Sequence, residues 1–434
     1  MDQSTTRKLP WSRALACIGP GVLLAGAAIG VSHLIQSTRA GAGFGFGMLG
    51  LLVLACVTKY PFLEFGPRYA AATGEDLIEG YRKLGAWAVW LAAALTFASM
   101  FIIMAAVTLV TAAIAKHVFS AAVPGMDAIS LNAWAGIVIG LCLAVLLVGR
   151  YRVLERTMKI VMLLLLVSTV AAVVVAAFAG SNPVSIPDTD TAIDQTKWWS
   201  AANFAFVLAF MGWMPIPVDS AIWNSIWVRE HGRACGQDMT RREAIFDFRV
   251  GYIGAGLVAV LFLTLGALVM HERVGELKDG AGFVNQLIDV YGQTLGGWSV
   301  PLISAAALTT MFSTTLVVLD AFPRAMHRLT QAMRSIDPDE SNGRRSYIGW
   351  VLAQAGVAVA ILLFFRGGMK AMVDIATTLS FLTAPLLAMI NYLVITRHVP
   401  AESRPGKAMR AVSIGSMVFL FAFSAAYIAW RITG

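Results

Sequence analysis

The sequence predicts an all-α membrane protein with about eleven transmembrane helices, and three observations carry that prediction. Hydrophobic residues make up 58% of the chain and charged residues only 13%, against roughly 45–50% and 25% in an ordinary soluble domain. Apolar stretches of about 20 residues, the length that crosses a bilayer core as a helix, recur from Ala14 almost to the end. Runs such as Val161 to Phe178 are apolar on every face, whereas the strands of a membrane barrel alternate apolar with polar residues. A soluble globular fold and a β-barrel are both excluded.

The predicted spans centre near Ala25, Leu54, Met104, Ile139, Leu166, Phe206, Leu261, Leu308, Val357, Leu386 and Val418. The first follows a short polar start, Met1 to Pro10, and has no small-residue cleavage site, so it reads as a permanent span rather than a signal peptide. It is weakened by Gly26 and Gly30, followed by Ser32 and His33. The second carries Lys59, Pro61 and Glu64 in otherwise apolar surroundings. Between these two spans, the glycine-rich run 41–47 joins helix to helix rather than strand to helix, so it reads as a tight external turn and not a phosphate-binding loop. The sixth span contains Gly212, Met214, Pro215, Ile216, Pro217, Asp219 and Ser220. Two prolines two residues apart remove backbone donors and clash with the preceding turn, so this helix is expected to break.

The formal net charge of +8 raises the question of nucleic acid, and the placement of the basic residues answers it. With a cytoplasmic N-terminus, 24 of the 33 basic residues fall in inside loops and eight outside, leaving Lys59 within a span. That asymmetry is the positive-inside pattern of a multi-pass protein. It predicts residence in the cell (inner or plasma) membrane, a cytoplasmic N-terminus, an external C-terminus and no nucleic-acid partner. Cys17, Cys56, Cys142 and Cys235 form no CxxC pair, so neither a disulfide framework nor a zinc site is expected.

The two weakened spans are five apart. Because five is odd, a second set of five helices enters the membrane from the opposite side, the sequence signature of an inverted repeat whose broken helices face a substrate near the midplane. The expected division is 1–180 and 181–400 for the two repeats and 401–434 for an additional helix.

Gly19-Pro20 followed by Gly30-Val31-Ser32-His33 occupies, without a gap, the positions of the Gly-Pro and Asp-Pro-Gly-Asn of the first helix in the Nramp (natural resistance-associated macrophage protein) divalent-metal transporters, and the chain resembles that family. Tyr69-Ala70-Ala71-Ala72-Thr73-Gly74-Glu75-Asp76-Leu77 looks like the ending of its second helix, and Ser313-Thr314-Thr315 and Pro385 fit its later helices. The resemblance implies a leucine-transporter (LeuT) type fold with helices 1 and 6 broken, working by alternating access. It also exposes departures. Where the family holds metal with an Asp, an Asn and the Met of a Met-Pro-His run, this chain has Gly30, His33 and either Ile216 and Val218 or, one proline earlier, Met214-Pro215. The carboxylate is absent in both alignments. The acidic residues that the family uses as a proton route on its third helix are missing from Leu95 to Lys116.

The candidate substrate-binding residues are Gly30, Ser32, His33, Met214, Ile216, Asp219 and Thr383. Intramembrane ionisable groups are costly and tend to mark sites, yet each has a bland alternative. His33 contacts substrate or a coupling ion, or else bonds helix to helix. Asp219 balances a cation, accepts from an amine or pairs with His33, or else caps the second half-helix. Lys59 forms an ion pair with Glu64 or Asp320, or else stands as a fixed charge replacing a coupling cation or meeting an anionic group. Gly30 and Ser32 leave backbone groups open, which attract carboxylates at a half-helix N-terminus. Thr383, two residues before Pro385, stands where the family has a Gln near the metal, although helix packing is the plainer role. Asp320, ahead of Arg324, belongs to an inner gate or snorkels.

No enzyme signature is present and no cofactor is expected; the partners are a small solute or cation and the lipid bilayer. The favoured function is transport of a small polar or carboxylate-bearing solute. A divalent cation, Mg²⁺ or Mn²⁺, held by His33 and Asp219 is the alternative, and a non-transporting sensor or scaffold the third.

Overall fold

A computed structural model of the chain describes residues 18–148, 151–178, 201–271, 296–336 and 343–433, with 282, 285–289 and 292 between them. Met1 to Pro10, and Arg7, Lys8, Arg13, Arg150, Lys197, Arg273 and Lys278 from the orientation count, lie outside the described residues. No strand occurs among those described. The helices are α1 (Pro20–Ala28), a π-helical turn Ser32–Ser37 leading into α2 (Thr38–Phe44), α3 (Leu49–Thr73), α4 (Leu77–Leu84), α5 (Ala86–Ala122), α6 (Leu131–Val148), α7 (Tyr151–Phe178), α8 (Ala201–Trp213), α9 (Ser220–Cys235), α10 (Arg241–Val269), α11 (Ser299–Met333), α12 (Gly343–Phe364), α13 (Gly368–Arg397) and α14 (Lys407–Thr433).

Each of the eleven predicted centres lies inside a helix. Among the described residues, seven helical stretches are long and apolar enough to cross a membrane by length and composition, and shorter apolar helices fall at Leu131–Leu147, Thr169–Phe178 and Asn203–Trp213. Spans one and six are the broken ones, α1 with α2 and α8 with α9, as the inverted-repeat pattern requires.

Local chemistry explains the ends. Pro20 opens α1, where its missing N–H costs nothing. Asp76 accepts the Glu79 amide to begin α4, and Thr240 with Glu243 makes a capping box for α10.

Helix α10 is the beam on which the first span rests. It packs against α1, α2 and α3, and glycines set how closely. A Cβ on Gly251 would lie 1.9 Å from the Gly21 carbonyl oxygen, and one on Gly266 would lie 2.3 Å from that of Thr38. In lipid, helices associate through such close backbone approach rather than through a hydrophobic driving force. Gly251→Val is therefore expected to force α1 and α10 apart at a cost of about 1–3 kcal/mol or more, seen as a lower melting midpoint in detergent. Gly254→Val, on the same helix with nothing within 4 Å of its added Cβ, is expected to leave the midpoint unchanged.

Candidate functional site

The two breaks expose backbone groups that water cannot satisfy within a bilayer, so side chains from other helices must do so. At the first break, Ile29 leaves the helical region at φ −79°, ψ 88°, and Gly30 packs so closely on Thr314 that a Cβ would come within 2.6 Å of its hydroxyl. The freed carbonyls of Gly26 and Ile29 lie 3.1 and 3.0 Å from Thr314 Oγ1, which also stands 3.1 Å from the Thr310 carbonyl of its own helix. One hydroxyl proton thus faces three acceptors.

His33 sits at the start of the π-helical turn, fully buried. Its Nε2 is 2.9 Å from the Ala255 carbonyl on α10 and its Nδ1 is 2.7 Å from Ser32 Oγ. Ser32 in turn donates to the Ala28 carbonyl at 2.6 Å. The helix-bridging expectation for His33 describes these contacts; no contact with Asp219 is found.

The second break runs over Met214 to Asp219 and contains a cis Met214–Pro215 peptide. Lys59, 1% exposed, donates to the freed carbonyls of Gly212 at 2.7 Å and Ile216 at 3.4 Å. The expected ion pairs are not formed. Glu64 is instead held by Tyr60, by Arg68 on its own helix and by Arg249 of α10 at 3.4 Å, while Asp320 takes Arg324 and the Tyr347 hydroxyl, each at 2.6 Å. The break in the sixth span, whose Gly212 lies 153 residues further along the chain, supplies Lys59 with carbonyl acceptors in place of either carboxylate.

Asp219 occupies the N-cap position of α9, where no N2 or N3 capping bond forms although the Ser220 amide acts on its carboxylate. Its carboxylate is buried, Oδ1 has no partner, and it lies within electrostatic reach of Lys59 without closing an ion pair. Met214 links the breaks, its sulfur 3.5 Å from Ser37 Oγ of the π-helical turn. Thr383 bonds only the Ser380 carbonyl within α13, the packing role.

Sequence reasoning missed three residues. Asn224, on α9, is buried with both amide atoms unpartnered, as is Gln36 at Nε2. Asp247 of α10 accepts the Gly19 and Gly21 amides at 2.9 and 2.6 Å, serving as the N-cap that Gly19 itself cannot supply. An uncharged N-cap residue opposite an acid on an amphipathic stretch is too weak a signal to find in one sequence.

The family model described as natural resistance-associated macrophage protein-like matches residues 21–429. The chain belongs to the Nramp family. An uncharacterized protein of Pasteurella multocida is 34% identical to this Nramp-family chain over 97% of it and 94% of the relative. Among solved structures, a mutant of the Eremococcus coleocola manganese transporter is similar, with TM-score 0.71 and 16% identity over 100% of this chain and 91% of that one. MhsT in complex with L-phenylalanine matches with TM-score 0.61 and 16% identity, over 93% and 98% of the two chains. Mhp1, a nucleobase-cation-symport-1 family transporter, matches with TM-score 0.60 and 14% identity, over 95% and 92%. These likenesses establish the LeuT-type fold, and Nramp membership with the apolar helices makes the chain a multi-pass membrane transporter. Within that frame, no group of three or more His, Cys, Asp or Glu side chains placed to hold a metal occurs among the described residues.

The Asp247 contacts generate a test. Hydrogen bonds to a charged group contribute about 1.5–3 kcal/mol, so Asp247→Ala is expected to speed amide hydrogen exchange at Gly19 and Gly21 tenfold or more while leaving α2 unchanged.

Proposed function

We propose that this Nramp-family transporter works by alternating access on a small polar solute bearing a carboxylate, rather than on a transition metal. The observation that carries this reading is the charge at the second break. One buried basic group, Lys59, on the Gly212 and Ile216 carbonyls, and one buried acidic group, Asp219, stand there, so the break holds no excess of acidic groups for a dication. A dication would meet a cation already in place, whereas a solute with an acidic end and a hydrogen-bond donor finds a counterpart for each. The unpartnered Asp219 Oδ1 and the Asn224 amide supply donor and acceptor capacity, and the backbone around Gly30 and Ser32, with Met214 and Ile216, forms the walls. His33, committed to Ser32 and Ala255, shapes the first break. The N-terminus is placed in the cytoplasm by the distribution of basic residues.

The oxygen cluster at Thr314 suits a small monovalent cation. The freed Gly26 and Ile29 carbonyls and the Thr310 carbonyl each lie within 3.1 Å of the Thr314 hydroxyl, and such oxygen donors favour hard cations. Sodium bound there would join the two halves of the first span to α11 and couple its gradient to transport. Thr314→Val is expected to abolish any sodium dependence of uptake in proteoliposomes; sodium-dependent uptake by that variant would remove this role.

A second reading, a divalent metal as cargo, draws on family membership and on Met214 and Asp219 standing at one break. A thermal-shift panel on purified protein separates the two, since a ligand that binds only the native state raises its melting midpoint. Small organic acids are expected to stabilise the protein, and Asp219→Asn or Lys59→Met to lose that stabilisation along with uptake. Stabilisation by Mn²⁺ that vanishes in Asp219→Asn, with no response to organic acids, would establish the metal reading instead.

A further inference from the structure

Away from the central site, three separate segments bring arginines to one end of the molecule. Arg68 near the end of α3, Arg241, Arg242 and Arg249 in the first turns of α10, and Arg404 between α13 and α14 line a cavity of about 420 Å³. Five guanidiniums face two carboxylates there: Glu402 in the wall and the buried Glu64 held by Arg68 and Arg249. That leaves an excess of three positive charges.

The cavity is built rather than incidental. Arg68 donates to the Ser403 carbonyl at 3.2 Å, Arg241 to that of Glu402, and Arg404 to that of Val399 at 3.0 Å. These bonds stitch the α13–α14 connection to α3 and α10 and hold the forks in place. A preorganised guanidinium fork matches the paired oxygens of a phosphate.

A second, independent feature points to what carries the phosphate. The character of α10 changes between Arg249 and Val250, and from there Val250, Ile253 and Leu257 form a stripe 41%, 54% and 57% exposed. At 1.5 Å per residue it runs about 10 Å from the cavity toward the bilayer centre. A soluble phosphate would leave that stripe uncovered, whereas the acyl chain of a phospholipid would cover it.

We propose that this pocket binds the phosphate headgroup of an anionic phospholipid, with an acyl chain on the Val250–Leu257 face of α10. With the N-terminus inside, the lipid belongs to the cytoplasmic leaflet, where basic pockets between spans select anionic headgroups. The bound lipid bridges α3, α10 and the α13–α14 connection, and it sits two residues from Asp247, the residue that anchors α1.

The test uses purified, delipidated full-length protein with three probes: dioleoyl-phosphatidylglycerol, dioleoyl-phosphatidylcholine and inorganic phosphate. Phosphatidylglycerol is expected to raise the melting midpoint above either of the others and to survive as an adduct in native mass spectrometry. The double variant Arg242→Gln, Arg404→Gln, which spares the residues holding Glu64, is expected to bind phosphatidylglycerol roughly 30-fold more weakly, the product of two surface arginines. The control double variant Arg344→Gln, Arg345→Gln, on a different segment of the same face, is expected to bind as the unmodified protein does. Equal stabilisation by phosphatidylcholine, full stabilisation by inorganic phosphate alone, unchanged affinity in the first variant, or equal loss in both variants would each overturn the proposal.

Discussion

Within a bilayer, every interrupted helix leaves carbonyls and amides that must find partners inside the protein. This fold answers that constraint with three side chains from elsewhere in the sequence. Thr314 meets the carbonyls released at Ile29–Gly30, Lys59 meets those released at Met214–Pro217, and Asp247 meets the amides at the mouth of α1. Each lies on a continuous helix, so the rigid spans hold the irregular backbone in shape. A break without such partners would cost several kcal/mol per orphaned group, which is why the interruptions and their attendants belong together.

The frame was legible from one sequence because its determinants are local and repetitive. Runs of about 20 apolar residues, two prolines in the sixth span and the spacing of five between interruptions were enough to give span order and the inverted repeat. The site was legible only in part. Gly30, Ser32, His33, Met214 and Asp219, which the structure places at or beside the two breaks, stood out because polar or helix-breaking residues contrast with apolar surroundings. Their partners were not, because a carbonyl oxygen has no letter in the sequence. Lys59 was matched with Glu64 or Asp320, the carboxylates in view, when its acceptors were backbone atoms of the sixth span. Asn224 and Asp247 were overlooked for a related reason: α9 and the start of α10 are polar enough that one more amide or acid carries no contrast.

Family membership fixes the frame, while residues at the first break differ from those the Nramp resemblance leads one to expect. Where the Nramp resemblance leads one to expect an acid at the first break, there is Gly30 packed on a threonine, and the buried Asp219 and Lys59 stand at the second break and on α3 beside it.

The glycine contacts along α10 have a mechanical corollary. Gly251 against the Gly21 backbone, and Gly41 and Gly266 against the backbone of Leu263 and of Thr38, put smooth faces together at two separate points, one on each side of the Ile29–Gly30 bend. Flat faces have no knobs to lift out of holes, so what fastens the first segment to α10 is the grip of Asp247 on its opening amides rather than interlocked side chains.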